Sequence, residues 1–173
     1  MKFIDCNYSE HSQEILEILN ESIINSTALY DYRPRTIESI KEWFDSKEAK
    51  HYPVIGVVDG NGVLMGFATF GAFRNWPAYK YAVEHSVYVH KDHHKKGVAS
   101  KLMEHLIKKA ETLQYHTIIG GIDVENTASI KLHEKFGFKH VGTLEQVGFK
   151  FGRWLDLAFY QLILQTPAEP KEG

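Results

Sequence analysis

Val87-Tyr88-Val89-His90-Lys91-Asp92-His93-His94-Lys95-Lys96-Gly97-Val98-Ala99-Ser100 runs from an apolar strand through a basic turn into the start of a helix. The helix declares itself just past the turn. Ala99, Leu102, Met103, Leu106, Ile107, Ala110 and Leu113 recur at helical spacing, and Lys101, Glu104, Lys108 and Glu111 take the other side. The first N–H groups of a helix lack intrahelical partners and carry partial positive charge. Gly97 and Ala99 have almost no side chain, so a phosphate can approach their backbone, and Lys95 and Lys96 add charge. By chemistry alone the turn is either a diphosphate cradle or an ordinary basic turn with a glycine cap. It is neither a P-loop nor a G-x-G-x-x-G fingerprint.

Glu84 to His90 reads as the strand that feeds this turn, and Thr117 to Val124 as the strand after the helix. A strand–helix–strand unit needs a crossover, hence a parallel pair. Asn126 to Lys135 is a second helix, ended by Gly137, and two strands over about 138–147 and 151–164 follow. On the N-terminal side, Lys2 to Cys6 is a short strand, and Ile15, Leu16, Leu19 and Ile23 predict a helix over about 11–25. Thr36 is the candidate N-cap of a helix carrying Ile37, Ile40 and Phe44. Val54–Val58 and Val63–Phe70 are strands around the turn Asp59-Gly60-Asn61-Gly62, and Ala72 to Tyr81 is a loop. Helices interrupting a mainly β chain make the class α/β or α+β. The expected organisation is one domain over 1–166 with a frayed tail at 167–173.

The chain of 173 residues is 43% hydrophobic and 24% charged, which excludes a disordered chain. Its net charge of −2 argues against a nucleic-acid partner. Cys6 stands alone, so no internal disulfide forms, and a cytoplasmic location fits. No apolar run of about 18 residues exists to span a membrane. His90-x-x-His93-His94 is a conceivable metal turn, but no Cys or carboxylate cluster accompanies it, and no metal is expected.

Two motifs make the chain recognisable. His94-Lys95-Lys96-Gly97-Val98-Ala99 resembles the pyrophosphate motif Gln/Arg-x-x-Gly-x-Gly/Ala of the GNAT acetyltransferases except at its first position. Asn126-Thr127-Ala128-Ser129-Ile130-Lys131-Leu132-His133-Glu134-Lys135-Phe136-Gly137-Phe138 resembles that superfamily's second motif. Three further stretches are Phe73 to Tyr79, Val83-Glu84-His85-Ser86-Val87-Tyr88-Val89, and Val147 to Asp156 with its Lys150-x-Gly152-x-Trp154-x-Asp156 pattern. They look like the phosphinothricin / methionine sulfoximine N-acetyltransferase family. The resemblance implies a mixed, mainly antiparallel twisted sheet flanked by helices, with two central strands that part to admit a cofactor arm. It also implies acetyl transfer from acetyl-CoA to the α-amino group of a small amino-acid analogue, by a homodimer. Another small amine, a protein N-terminus, or a non-catalytic acyl-CoA-binding role are the rival readings.

The resemblance also distributes roles. Glu84 is the expected base for the protonated amine, directly or through water. His133 is a candidate for sharing that relay or for protonating the departing thiolate, unless it is a surface histidine. Val87, Tyr88 and Val89 are expected to pair with the cofactor arm through backbone groups and to stabilise an oxyanion. Lys95, Lys96, Gly97, Val98, Ala99 and Ser100 are expected to hold the diphosphate, and Asn126 the arm, unless it only caps its helix. Arg74 is the candidate for a substrate carboxylate, with Asn75 and Trp76 as its wall and His85 and Ser86 near the reacting amine. Tyr30 and Arg33 are weaker pocket candidates, and Lys150, Trp154 and Asp156 are left as strand pairing or a dimer seam.

Overall fold

A computed structural model describes residues 1–172. It has seven strands and four α-helices: β1 Lys2–Asp5, α1 Tyr8–Asn25, α2 Ile37–Ala49, β2 Val54–Val58, β3 Leu64–Ala72, β4 Ala82–Val89, α3 Val98–Thr112, β5 Thr117–Asp123, α4 Thr127–Lys135, β6 Lys139–Lys150 and β7 Arg153–Ile163. The strands hydrogen-bond in the order β1-β2-β3-β4-β5-β7-β6. β4–β5 is parallel, whereas β1–β2, β2–β3, β5–β7 and β6–β7 are antiparallel. The sheet is thus mixed and mostly antiparallel, as the resemblance implies.

The chain forms two compact units, and β4 and α3 each contribute to both. The first unit holds Met1–Phe70 and Ser86–Met103. Its core gathers Ile15, Ile18 and Leu19 from α1, Ile40 and Phe44 from α2, and Val54, Val58, Leu64 and Phe67 from the strands. Ile15 and Ile40 are fully buried, and truncating either to Ala would cost about 2–5 kcal/mol. α1 starts three residues before the expected 11, because Asn7 caps it: Glu10 N donates to Asn7 Oδ1 at 3.0 Å, and Asn7 Nδ2 donates to Glu10 Oε2 at 2.8 Å. Thr36 caps α2 as expected, in a reciprocal box with Ser39. The hairpin turn also forms as expected. Asp59 Oδ1 accepts from Asn61 N and Val63 N, and Gly62 adopts φ 84°.

The second unit holds Gly71–His85 and the chain from Glu104 onward. The parallel pairs Ala82↔Thr117, Val83↔Ile118 and Glu84↔Ile119 lie here, and the register ends at Glu84, although β4 runs on to Val89. The last two strands meet later than expected, at Phe151-Gly152 rather than near 148–150. Both turn residues have positive φ, 52° and 73°, which suits a tight two-residue hairpin, while Gly148 sits at a register shift inside β6. The C-terminal residues have no regular structure, yet Lys171 N donates to the Tyr81 hydroxyl at 3.0 Å, and that hydroxyl donates to Lys171 O. The expected tail includes Gly173, which lies outside the described residues.

Candidate active site

In the first unit the basic turn is built by its own backbone. His90 N donates to Met65 O, and His93 N donates to His90 O to close a short 3-10 turn at Lys91–His93. Lys95 and Gly97 then take φ of 60° and 78°, the left-handed conformation that reverses the chain into α3. Lys101 N donates to Gly97 O as the first intrahelical bond, leaving the N–H groups of Val98 and Ala99 without one. A Cβ added at Gly97 would meet nothing within 4 Å, so the space before this helix start is open. Lys95 and Lys96 are exposed beside it. Donor N–H groups, dipole and lysines fit a diphosphate. His94 does not reach outward as the Gln or Arg of the family motif would: its Nε2–H donates to Val89 O at 3.0 Å and braces the turn.

Upstream of the turn, Ser86, Val87, Tyr88 and Val89 are half-buried on β4, and Ser100 lies half-buried in the first turn of α3. Tyr88 packs on Phe67, with ring centroids 5.4 Å apart. β3 approaches closely there, since a Cβ on Gly66 would come within 2.6 Å of Tyr88 O. Arg33 is exposed in the loop before α2. Among the described residues, no group of three or more His, Cys, Asp or Glu side chains is placed to hold a metal ion. Likewise, no described helix is long and apolar enough to cross a membrane.

The second unit carries the side-chain chemistry, and Gly120-Gly121 of β5 divides it. Adjacent residues of a strand face opposite sides. On one side the Glu84 carboxylate stands over Gly121, with Oε1 3.3 Å from where a Cβ would be and with Leu157 and Phe159 around that point. The Glu84 residue is exposed, yet partial desolvation of its carboxylate raises its pKa, and the Arg74 guanidinium opposes the rise. Phe159 packs edge-on against Phe73, and the Arg74 guanidinium lies 5.4 Å over the Phe73 ring. Phe73, Arg74, Asn75 and Trp76 line an open depression of about 350 Å³. The Glu84 carboxylate and the Arg74 guanidinium are therefore linked by a short aromatic path, Phe159 to Phe73.

His85 and His133 lie on the other side, over Gly120. Their Nε2 atoms are 2.9 Å apart, and both rings pack on Phe138. His85, expected near the reacting amine, is turned by strand alternation to the side opposite Glu84, and it is 7% exposed. The expected direct relay between His133 and Glu84 is not formed in this arrangement, because the β5 backbone lies between them and the partner of His133 is His85. His133 is no surface histidine either, at 4% exposure. Burial lowers the pKa of both rings, and His133 adds to the effect on His85. Asn126 caps α4, its side-chain oxygen accepting from Ser129 N at 3.1 Å. Lys150, Trp154 and Asp156 lie in the paired β6–β7 strands: Trp154 meets Phe149 across the hairpin with both rings exposed, Lys150 is buried, and Asp156 accepts from Gln146 N.

No spacing in the sequence announces the pairing of the two histidines. Its signal is there: a Gly-Gly inside a strand marks close approach of other groups. Phe73 and Phe159 were equally silent, because aromatics in strands and loops pack for many reasons.

Known proteins resemble this chain over most of its length. Residues 13–138 match the acetyltransferase (GNAT) family. The chain is 41% identical to an L-methionine sulfoximine/L-methionine sulfone acetyltransferase of Salmonella typhimurium, covering 90% of this chain and 91% of the relative. It is 40% identical to the L-amino acid N-acyltransferase MnaT of Escherichia coli, covering 90% of each. A crystal structure of a GNAT superfamily phosphinothricin acetyltransferase from Sinorhizobium meliloti, in complex with AcCoA, superposes with a TM-score of 0.94 at 33% identity, over 99% of this chain and 94% of that one.

Proposed function

This chain belongs to the GNAT acetyltransferase family, and on that premise we propose that its acceptor is the α-amino group of a small amino acid of the methionine sulfoximine, methionine sulfone or phosphinothricin type. It is an acetyl-CoA-dependent N-acetyltransferase. The observation that carries the acceptor class is Arg74, held on Phe73 in the depression on the Glu84 side of the sheet. A guanidinium there offers two parallel N–H donors to an α-carboxylate. A cationic polyamine would call for carboxylates in that wall, and Phe73, Asn75 and Trp76 supply none.

The roles follow from chemistry. A free amino acid's amine is mostly protonated at neutral pH and must lose a proton before it attacks. Glu84 takes that proton at its carboxylate, and its raised pKa brings it toward the operating pH, where a general base works best. Acetyl-CoA supplies the activated acetyl thioester. Backbone N–H groups at Val98 and Ala99, with Lys95 and Lys96, would hold its diphosphate; Val87, Tyr88, Val89 and Asn126 would hold its arm. A homodimer belongs to the same reading, supported by the exposed Phe149 and Trp154 pair on the β6–β7 hairpin. So does a cytoplasmic location, supported by the free Cys6 and the need for acetyl-CoA.

The test is free-thiol release from acetyl-CoA by the purified chain with methionine sulfoximine, methionine sulfone, phosphinothricin, spermidine and a peptide N-terminus. Turnover confined to the first three supports the proposal. Turnover only with spermidine or the peptide overturns the acceptor class and leaves the acetyltransferase.

A further inference from the structure

The His85–His133 contact contains its own proton assignment. His133 Nδ1 lies 2.7 Å from Ser129 O, one turn earlier on α4. A carbonyl only accepts, so His133 Nδ1 carries a hydrogen. A neutral His133 then has a bare Nε2, and the hydrogen between the rings belongs to His85 Nε2. His85 Nδ1 is left bare, and this atom is buried without a partner. One carbonyl thereby sets the tautomer of both rings. An added proton would create a buried N–H at His85 Nδ1 with nothing to receive it, which is costly. Desolvation acts in the same direction and keeps the pair neutral.

The bond has a definite mechanical place. It passes over Gly120, where a Cβ would come within 2.7 Å of His133 Nε2 and 3.0 Å of His85 Nε2. It ties β4, at the residue after Glu84, to the helix capped by Asn126. Phe138 packs on both rings. The other titratable groups facing the pair are Tyr160 of β7, 6.2 Å from His133 between ring centroids, and His140 of β6 behind it.

We propose that His85 is a positioning residue for acetyl transfer: by donating its Nε2–H to His133 Nε2 it locks His133 in one neutral tautomer and seats the strand that carries Glu84. In this state His133 Nε2 has no proton to give, and its Nδ1 hydrogen is engaged by Ser129, so the resting ring is not an acid. The kinetic readout rests on the acetyl-transfer reading; the tautomer does not.

Nitrogen-15 NMR of the imidazoles in the full chain reads the tautomer directly. The expected wild-type spectrum has the His133 hydrogen on Nδ1 and the His85 hydrogen on Nε2. His85→Leu removes the donor and should lower kcat about tenfold to a hundredfold, with KM for the amino acid within about threefold, as misplaced catalytic groups do. His85→Gln keeps an N–H at similar reach and should restore most of kcat. Thermal unfolding of each variant confirms that it folds. A wild-type hydrogen on His133 Nε2 overturns the proposal, as do equal kcat values for wild type, Leu and Gln variants. Equal losses in both variants overturn it too, because the donor would then not matter. A wild-type chain that shows the expected tautomer but turns over no amine overturns the acetyl-transfer reading and the positioning role with it.

Discussion

The two sides of β5 at Gly120-Gly121 differ by a single residue step and by their entire chemistry. Over Gly121 stands a carboxylate whose partial desolvation raises its pKa, next to an open depression with a guanidinium. Over Gly120 stand two imidazoles whose burial lowers theirs, sealed by Phe138 and bonded to each other. Desolvation does the same thing to both, favouring the uncharged form. On the carboxylate side this makes a better base. On the imidazole side it makes a fixed, neutral strut. The proposed roles follow this contrast: proton chemistry of the amine on the first side, positioning on the second.

The largest effect that contrast predicts is at Glu84. Glu84→Gln keeps the shape and removes the base, so kcat should fall by roughly 10²–10⁴-fold, with KM for acetyl-CoA little changed. Steady-state thiol release measures it. A loss under about threefold would move the base elsewhere and break the division between the two sides.

Arg74 comes next. Arg74→Ala removes charged hydrogen bonds worth about 1.5–3 kcal/mol, so kcat/KM for the amino acid should drop about tenfold to a hundredfold. The loss should fall mainly on KM. Arg74→Lys should recover only part of it, because an ammonium lacks the fork. An unchanged KM in the alanine variant would remove the carboxylate from this wall.

The two glycines probe the rigidity of each side. In Gly120→Ala the new methyl meets two imidazole nitrogens held by packing, and overpacking of this kind typically costs about 1–3 kcal/mol. In Gly121→Ala the nearest atom is the end of a flexible Glu84 side chain at 3.3 Å, which can swing aside. Denaturant titration should therefore show a clear stability loss at 120 and a small one at 121, whereas thiol release should show the activity of the 121 variant falling further than its stability explains. Similar losses of stability at both positions would mean that the two sides are equally rigid.

How much of this was legible beforehand depends on which part of a residue does the work. The basic turn was readable because its shape is carried by backbone and by glycine, and both leave marks in sequence: Gly97 with its positive φ, the helix period from Ala99, the lysines. Thr36 and the Asp59–Gly62 turn were readable for the same reason, as local hydrogen bonds between near neighbours. Asn7 was missed although its box with Glu10 is just as local, because Tyr8 and Ser9 do not extend the apolar stripe that begins at Ile15. The site in the second unit was half readable. Glu84 and Arg74 stand out by residue type, but which side of a strand a side chain takes depends on register. A one-residue step sets His85 on the face of the sheet opposite Glu84. The His85–His133 contact joins residues 48 apart, and no spacing rule encodes it.

The smallest effect separates the two sides by sign. A histidine whose folded pKa lies below its unfolded value binds its proton more readily unfolded. Its stability is complete above about pH 6.5 and is lost as pH falls toward the folded pKa, about 3 for His85. Glu84 runs the other way. Its folded pKa lies above the unfolded 4.5, so its favourable share is present below that value and is lost as pH rises through the folded pKa. Urea unfolding from pH 4 to 8 should show His85→Gln with a flatter acid slope than wild type, the difference approaching about 1.4 kcal/mol per pH unit for one proton. Glu84→Gln should gain slightly at pH 7–8, where it removes a partly desolvated charge, and by less than a buried carboxylate would, since this residue is exposed to solvent. Such a gain, bought with lost kcat, is what a catalytic carboxylate kept in a destabilising place should show. Parallel pH profiles for the two variants would mean that neither burial penalty is felt on folding. The difference between the two faces of β5 would then be one of shape alone.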